Sequence, residues 1–168
     1  MSWILQRVDD RLIHGQVVVA WGGRLRPRRI WVADDAAAAD GWERDLLASA
    51  APEAEVHVVT IAEAAALYES EAAAAGGAFL LVRDLRAALA LVEAGAAVPR
   101  FTLGGLHYAP GREKLNDYLY LGPADHATAR ALLARGVALE AQDLPSTRPV
   151  PLGTLAPGLA AAGPGPTS

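Results

Sequence analysis

The sequence predicts a single α/β domain built on a mostly parallel central sheet with helices on both faces. Three observations carry that expectation. Short apolar runs alternate with stretches of helix length along the chain, and parallel neighbours need the crossover connections that such an alternation supplies. At 168 residues the chain fits one domain with a core large enough to need no staple. Apolar residues make up 52% and charged ones 20%, an ordinary globular mixture that excludes a disordered or fibrous chain.

Taken in order, Trp3 to Val8 is an apolar run ended by charge and predicts the first strand, and Gln16 to Leu25 has helix length with Gly22 and Gly23 near its end. Arg29 to Ala33 predicts the second strand, and Asp40 to Ala51 a helix stopped by Pro52. Glu55 to Thr60 is the third strand. Thr60 with Glu63 forms a capping box leading into a helix over Ala64 to Ala75, halted at Gly76 and Gly77. Ala78 to Val82 is apolar at every position, as in a strand buried on both faces, and Asp84 can cap a helix running to Glu93. Arg100 to Leu103 predicts a strand entering the loop GGLHYAPG, and Tyr118 to Leu121 another. A helix over Pro123 to Arg135 and a strand over Ala138 to Gln142 complete the pattern. The domain is expected to occupy residues 1–154. Residues 155–168, rich in Ala, Gly and Pro, are expected to be a mobile tail.

There is no cysteine, so disulfides, thiolate nucleophiles and cysteine-ligated zinc are excluded and a reducing cytoplasm is the default expectation. Neither a signal peptide nor a membrane span of about 20 apolar residues fits the chain. A formal charge of −4 argues against sequence-independent nucleic-acid binding. The four tryptophans, Trp3, Trp21, Trp31 and Trp42, are spread over separate elements and are expected to pack the core.

The densest polar cluster is Asp9, Asp10, Arg11, His14 and Gln16, between the first strand and the first helix. Ligands of parallel sheets bind at the carboxyl ends of the strands, which places this loop at the functional edge. Gly15 lets the backbone approach an anion, and the helix start beyond it offers unpaired N–H groups and a positive dipole end. An imidazole here can act as nucleophile toward a phosphoryl group while Arg11 stabilises the charge that develops. A structural reading stands beside this one. In it Asp9 or Asp10 caps the turn, Arg11 pairs with a carboxylate and His14 merely opens the helix.

The run RVDDRLIHGQVVVAW, Arg7 to Trp21, resembles the phosphorylation-site segment of IIB subunits of the mannose/fructose/sorbose class of the bacterial phosphotransferase system (PTS). Three further stretches resemble the same family in order: IWVADDAAAAD (Ile30 to Asp40), FTLGGLHYAPGREKL (Phe101 to Leu115) and YLYLGPADHATARALLARGVALEAQDLP (Tyr118 to Pro145). The resemblance implies a cytoplasmic protein-histidine phosphotransferase active in sugar transport. His14 would accept a phosphoryl group on Nδ1 from a histidine of the IIA component and pass it to a sugar held by the membrane IIC and IID components. Arg11 matches the family's arginine beside the phosphohistidine, and Asp9 and Asp10 its acidic pair. The implied partners are IIA, IIC and IID with their sugar, and a homo-oligomer is admitted. No cofactor, nucleic acid or membrane insertion is implied.

The remaining candidates carry two readings each. Gly104, Gly105 and His107 would shape or contact a phosphate loop, or simply form a turn held to the backbone. Asp35 and Asp40 border the site, and helix capping explains Asp40 as well. His57 is expected to be structural and His126 solvated. The cluster Arg24, Arg26, Arg28 and Arg29 docks an acidic partner or complements a helix end. No histidine pair has the spacing of a helical metal motif, so no metal is expected. Two rival functions share the same site: a regulator that docks according to its phosphorylation state, and an anion-binding module without phosphohistidine chemistry.

Overall fold

Alternate residues of the strand AFLLV feed two different cores, which is the simplest statement of the architecture. Phe79 and Leu81 pack into one apolar cluster, Leu80 and Val82 into the other, and all are buried. A strand apolar at every position has this fate when both faces of its sheet are covered. The computed structural model describes residues 2–160. Its strands are β1 (Trp3–Asp9), β2 (Arg29–Ala33), β3 (Glu55–Val59), β4 (Ala78–Val82), β5 (Arg100–Gly105), β6 (Glu113–Asn116), β7 (Leu119–Leu121), β8 (Ala138–Ala141) and β9 (Val150–Pro151). The helices are α1 (residues 16–25), α2 (Asp35–Ala39), α3 (Gly41–Ser49), α4 (Ile61–Ala72), α5 (Leu85–Glu93), α6 (Pro123–Ala134) and α7 (Leu152–Leu155). Helix α1 begins with wide π-type turns over Gln16–Gly22.

Seven strands form one sheet in the order β3-β2-β4-β1-β5-β8-β9, parallel throughout except for β9 against β8. Val17 and Trp21 of α1, Ala37 of α2 and Leu47 of α3 pack on one face. Tyr68 of α4, Leu85 and Leu91 of α5 and Leu132 of α6 pack on the other. The expected caps form: Thr60 and Glu63 close a capping box, and Asp84 accepts the Ala87 N–H at 2.8 Å. From β1 the chain runs through α1 to β2 on one side of the sheet, and from β5 it runs through α6 to β8 on the other. Adjacent strands whose connections leave in opposite directions open a crevice beyond their carboxyl ends. Here that crevice lies between β1 and β5, and the His14 loop enters it.

Several expectations are corrected. Gly104 and Gly105 belong to strand β5 rather than to the loop after it. Residues 35–39 form a short helix, and Glu113–Asn116 pairs with β7 as an antiparallel hairpin. Trp42 is 79% exposed and packs no core, whereas Trp21 is buried, Trp3 stacks on Tyr68 and Trp31 on His57. Beyond the expected boundary at residue 154, Ala156 and Leu159 are buried beside Leu152 against the α4–α6 side, so packing continues to Leu159 rather than giving way to a mobile tail at Leu155. Residues 161–168 lie outside the described residues.

Candidate functional site

The loop between β1 and α1 is held from below by its own apolar residues. Leu12 and Ile13 are 1% and 6% exposed. Leu12 takes a left-handed backbone, φ 55°, and donates its N–H to the Asp9 carbonyl at 2.9 Å. That conformation costs a non-glycine residue about 1–2 kcal/mol, less than or comparable to the roughly 1.5–3 kcal/mol that burying a leucine contributes. The tight turn therefore survives, and it sets Arg11 and His14 on the outer side. No side chain caps the start of α1 at Gly15, and the space around Gly15 is open, with no atom within 4 Å of where a Cβ would stand.

Beneath the loop sits a buried ionic network. Arg7 and Asp9 are both 0% exposed and pair at 3.1 Å. Arg7 also donates to the Gln142 carbonyl at 3.1 Å and to Gln16 Oε1 at 3.4 Å, and lies over the Trp21 ring, 5.5 Å from its centre. Burial pushes the Arg7 guanidinium below its ordinary value and Asp9 pulls it back, but a group that starts so high stays cationic. For Asp9, burial alone would raise the pKa. The hydrogen bond from His14, the charge of Arg7 and the Arg11 N–H outweigh burial and hold the carboxyl below the usual carboxylate range.

An ionised carboxylate only accepts. Asp9 Oδ2 lies 2.9 Å from His14 Nε2, so the Nε2 proton faces Asp9 and Nδ1 carries the open lone pair. Asp9 Oδ1 accepts the Arg11 N–H at 3.1 Å and meets Arg11 Nε only at 3.5 Å. Arg11 is 44% exposed, and its two terminal nitrogens make no hydrogen bond among the described residues. The loop thus presents an oriented imidazole nitrogen and a guanidinium whose outer edge is unoccupied. Asp10 turns the other way and binds His107, with Oδ2 accepting the backbone N–H at 2.8 Å and Oδ1 meeting Nδ1 at 2.6 Å.

Comparison with known proteins decides what this arrangement belongs to. Residues 3–160 match the family described as the PTS system sorbose subfamily IIB component. The chain belongs to that family. It is 33% identical over 141 residues to the PTS system sorbose-specific EIIB component of Klebsiella pneumoniae, covering 83% of this chain and 86% of that protein. It is 34% identical over 146 residues to the PTS system mannose-specific EIIAB component of Escherichia coli, covering 86% of this chain but 45% of that one. The crystal structure of the IIBSor domain of the sorbose permease from Klebsiella pneumoniae superposes with a TM-score of 0.84 at 31% identity, over 96% of this chain and all of that domain. This IIB component is accordingly a phosphotransferase subunit of the sugar-transporting PTS, and such a subunit works with IIA and with membrane IIC and IID partners.

Set against the sequence, the structure gathers the expected residues Asp9, Asp10, Arg11, His14, Gly15 and Gln16 on one loop and brings His107 to it. Gly104 and Gly105 leave room for the buried pair, since a Cβ on Gly104 would overlap the Arg7 guanidinium and one on Gly105 would stand 3.2 Å from Asp9 Oδ1. Asp40 caps α3, and Asp35 accepts the Ile61 N–H at 2.8 Å. Arg29 leaves the arginine cluster to pair with buried Glu71 at 2.7 Å, while Arg28 stays exposed, 3.9 Å from Glu55. Two residues escaped the sequence reading. Arg7 lies inside the expected strand Trp3 to Val8, where nothing local marks it as a partner of Asp9. Arg83, which follows β4 at the same sheet edge, joins Asp34 at 2.9 Å to Glu43 at 2.7 Å. An arginine directly after a fully apolar strand was the available signal. Among the described residues no cluster of three or more potential metal ligands occurs.

Proposed function

We propose that this IIB component carries the phosphoryl group on Nδ1 of His14, taking it from a phosphohistidine of IIA and giving it to a sugar held by the IIC and IID components. The observation that supports this most directly is the 2.9 Å contact between Asp9 Oδ2 and His14 Nε2. In the transfer the Nδ1 lone pair attacks phosphorus, the donor's P–N bond breaks, and its electron pair returns to the donor imidazole. The Nε2 proton stays on the ring. Asp9 offsets the positive charge that the ring gains, and the outer nitrogens of Arg11 meet the phosphoryl oxygens. Alignment and charge compensation are what such a transfer needs, and the buried Arg7–Asp9 pair supplies a fixed base for both. The proposed place of action is the cytoplasm, on the same side as the phosphoryl donor. Among the described residues no helix is long and apolar enough to cross a membrane.

Phosphoenolpyruvate, enzyme I, HPr and a cognate IIA should together add one acid-labile, base-stable phosphoryl group to the wild-type chain and none to His14→Ala. Intact-mass measurement reads both. Absence of an adduct with a demonstrably active donor rejects the carrier reading, and an adduct that persists in His14→Ala rejects the site.

A further inference from the structure

Two consecutive aspartates each hold a histidine, and by opposite ring nitrogens. Asp9 takes His14 through Nε2, and Asp10 takes His107 through Nδ1. The first pair belongs to the transfer chemistry above; the second has no part in it yet. His107 follows β5, the strand next to β1, and its side chain is 49% exposed. Both oxygens of Asp10 are engaged by this one residue, and the Asp10 N–H returns to the Gly105 carbonyl at 3.0 Å. The far side is braced too. Arg112 donates to the His107 carbonyl at 3.0 Å and reaches Asp125 of α6 at 3.4 Å.

We propose that His107 is a positioning residue of the transfer site: through Nδ1 it keeps the Asp10 carboxylate turned away from Arg11, an inference that rests on the phosphocarrier reading. Asp10 adjoins Arg11 in the chain, and Arg11 is the only cation of the loop whose outer nitrogens are unoccupied. A carboxylate left loose there would pair with that guanidinium and repel an arriving phosphoryl dianion, since a unit charge acts over several ångströms even in a partly wet site. His107 removes the competitor without adding a group to the reacting atoms. Leu12 and Ile13 fix one end of the loop in the core, and the Asp10–His107 contact fixes the other, leaving Arg11 between two anchors.

Three substitutions separate the tether from other roles. His107→Asn puts an amide nitrogen near the place of Nδ1, His107→Gln near that of Nε2, and His107→Ala supplies neither, leaving Asp10 held by the residue 107 backbone N–H alone and its Oδ1 released. Single-turnover phosphorylation of His14 by phospho-IIA should slow about tenfold in His107→Ala, the lower end of what losing an orienting partner costs. The melting temperature and the half-saturating IIA concentration should stay unchanged, and His107→Asn should restore most of the rate where His107→Gln does not. Adding Asp10→Asn to His107→Ala should also recover rate. A wild-type rate in His107→Ala, rescue by Gln but not Asn, or a loss that follows the melting temperature would overturn the proposal. Amide hydrogen exchange over Arg11 to Gly15 gives a reading that needs no phosphoryl donor. It should quicken in His107→Ala and return in His107→Asn, and unchanged exchange in His107→Ala overturns the clamp. A wild-type chain that accepts no phosphoryl group would instead remove the carrier reading and leave the exchange data to judge the clamp alone.

Discussion

Gly104 vacates the space that the Arg7 guanidinium fills: a Cβ on Gly104 would overlap its carbon and both terminal nitrogens. Arg7 has nowhere to retreat, because Asp9, the Gln142 carbonyl and the Trp21 ring enclose it and its exposure is zero. Overpacking a core costs about 1–3 kcal/mol, and displacing one partner of a buried pair about 3–5 kcal/mol. Gly104→Ala should therefore lose about 3 kcal/mol or more in denaturant unfolding, far above the half kilocalorie or so typical of surface changes. A variant as stable as the wild type would show that the Arg7 pocket is not rigid.

Asp9 gives stability a definite pH dependence. Its carboxyl is held below the ordinary carboxylate range in the folded chain despite burial, which alone would raise it. A group depressed in this way adds stability above its unfolded value, and the increment is lost as pH falls through that value toward the folded one. Unfolding free energies should show Asp9→Asn destabilised by about 3–5 kcal/mol near neutral pH, because Arg7 is left buried without its anion. The gap to wild type should narrow below about pH 4, where aspartates in the unfolded chain become protonated. A gap that stays constant from pH 7 to pH 3 would contradict this assignment of the network's charge.

We propose that Arg11 serves a ligand more than the fold. Its side chain is 44% exposed, and its contact to Asp9 at 3.5 Å is long. With the Arg11 side of this long contact in solvent, screening keeps it near the roughly 0–1 kcal/mol of surface pairs, although Asp9 itself is buried. Arg11→Ala should slow transfer to and from His14 by on the order of ten- to a thousand-fold, the scale of removing one charge-stabilising donor, with little change in melting temperature. Arg11→Lys should recover only part of the rate, because an ammonium keeps the charge and loses the planar fork that can hold two oxygens. Rapid-quench phosphorylation paired with melting curves checks both. A folded Arg11→Ala chain transferring at the wild-type rate would take Arg11 out of the mechanism.

The sheet was legible because its strands are short apolar runs bounded by turns and caps, as in Ala78–Val82 followed by Asp84. Glu113–Asn116 was not, since a two-stranded hairpin with its first residues exposed carries no apolar signature. The C-terminal packing was hidden by composition, because Leu152, Ala156 and Leu159 stand among Gly, Ala and Pro on a short helix and a separate 3-10 turn rather than on one periodic element. At the site, the motif Asp9 to Gln16 was legible as chemistry but not as geometry. Nothing local says that Leu12 is left-handed, or that Asp9 faces inward to His14 while Asp10 faces outward to His107. Arg7 was invisible for a related reason. Its partners Gly104 and Gln142 lie far along the chain, and only the parallel pairing of β1 with β5 and β5 with β8 brings them together.

We propose that Asp9, by holding Nε2 of His14, leaves Nδ1 as the nitrogen that takes the phosphoryl group. Nitrogen-15 correlation NMR on the enzymatically phosphorylated, uniformly labelled protein reads the attachment site directly. One ring should be phosphorylated, that of His14, with phosphorus on Nδ1 and the Nε2 proton protected by its hydrogen bond to Asp9. Phosphorus on Nε2, or on any other histidine, would contradict it.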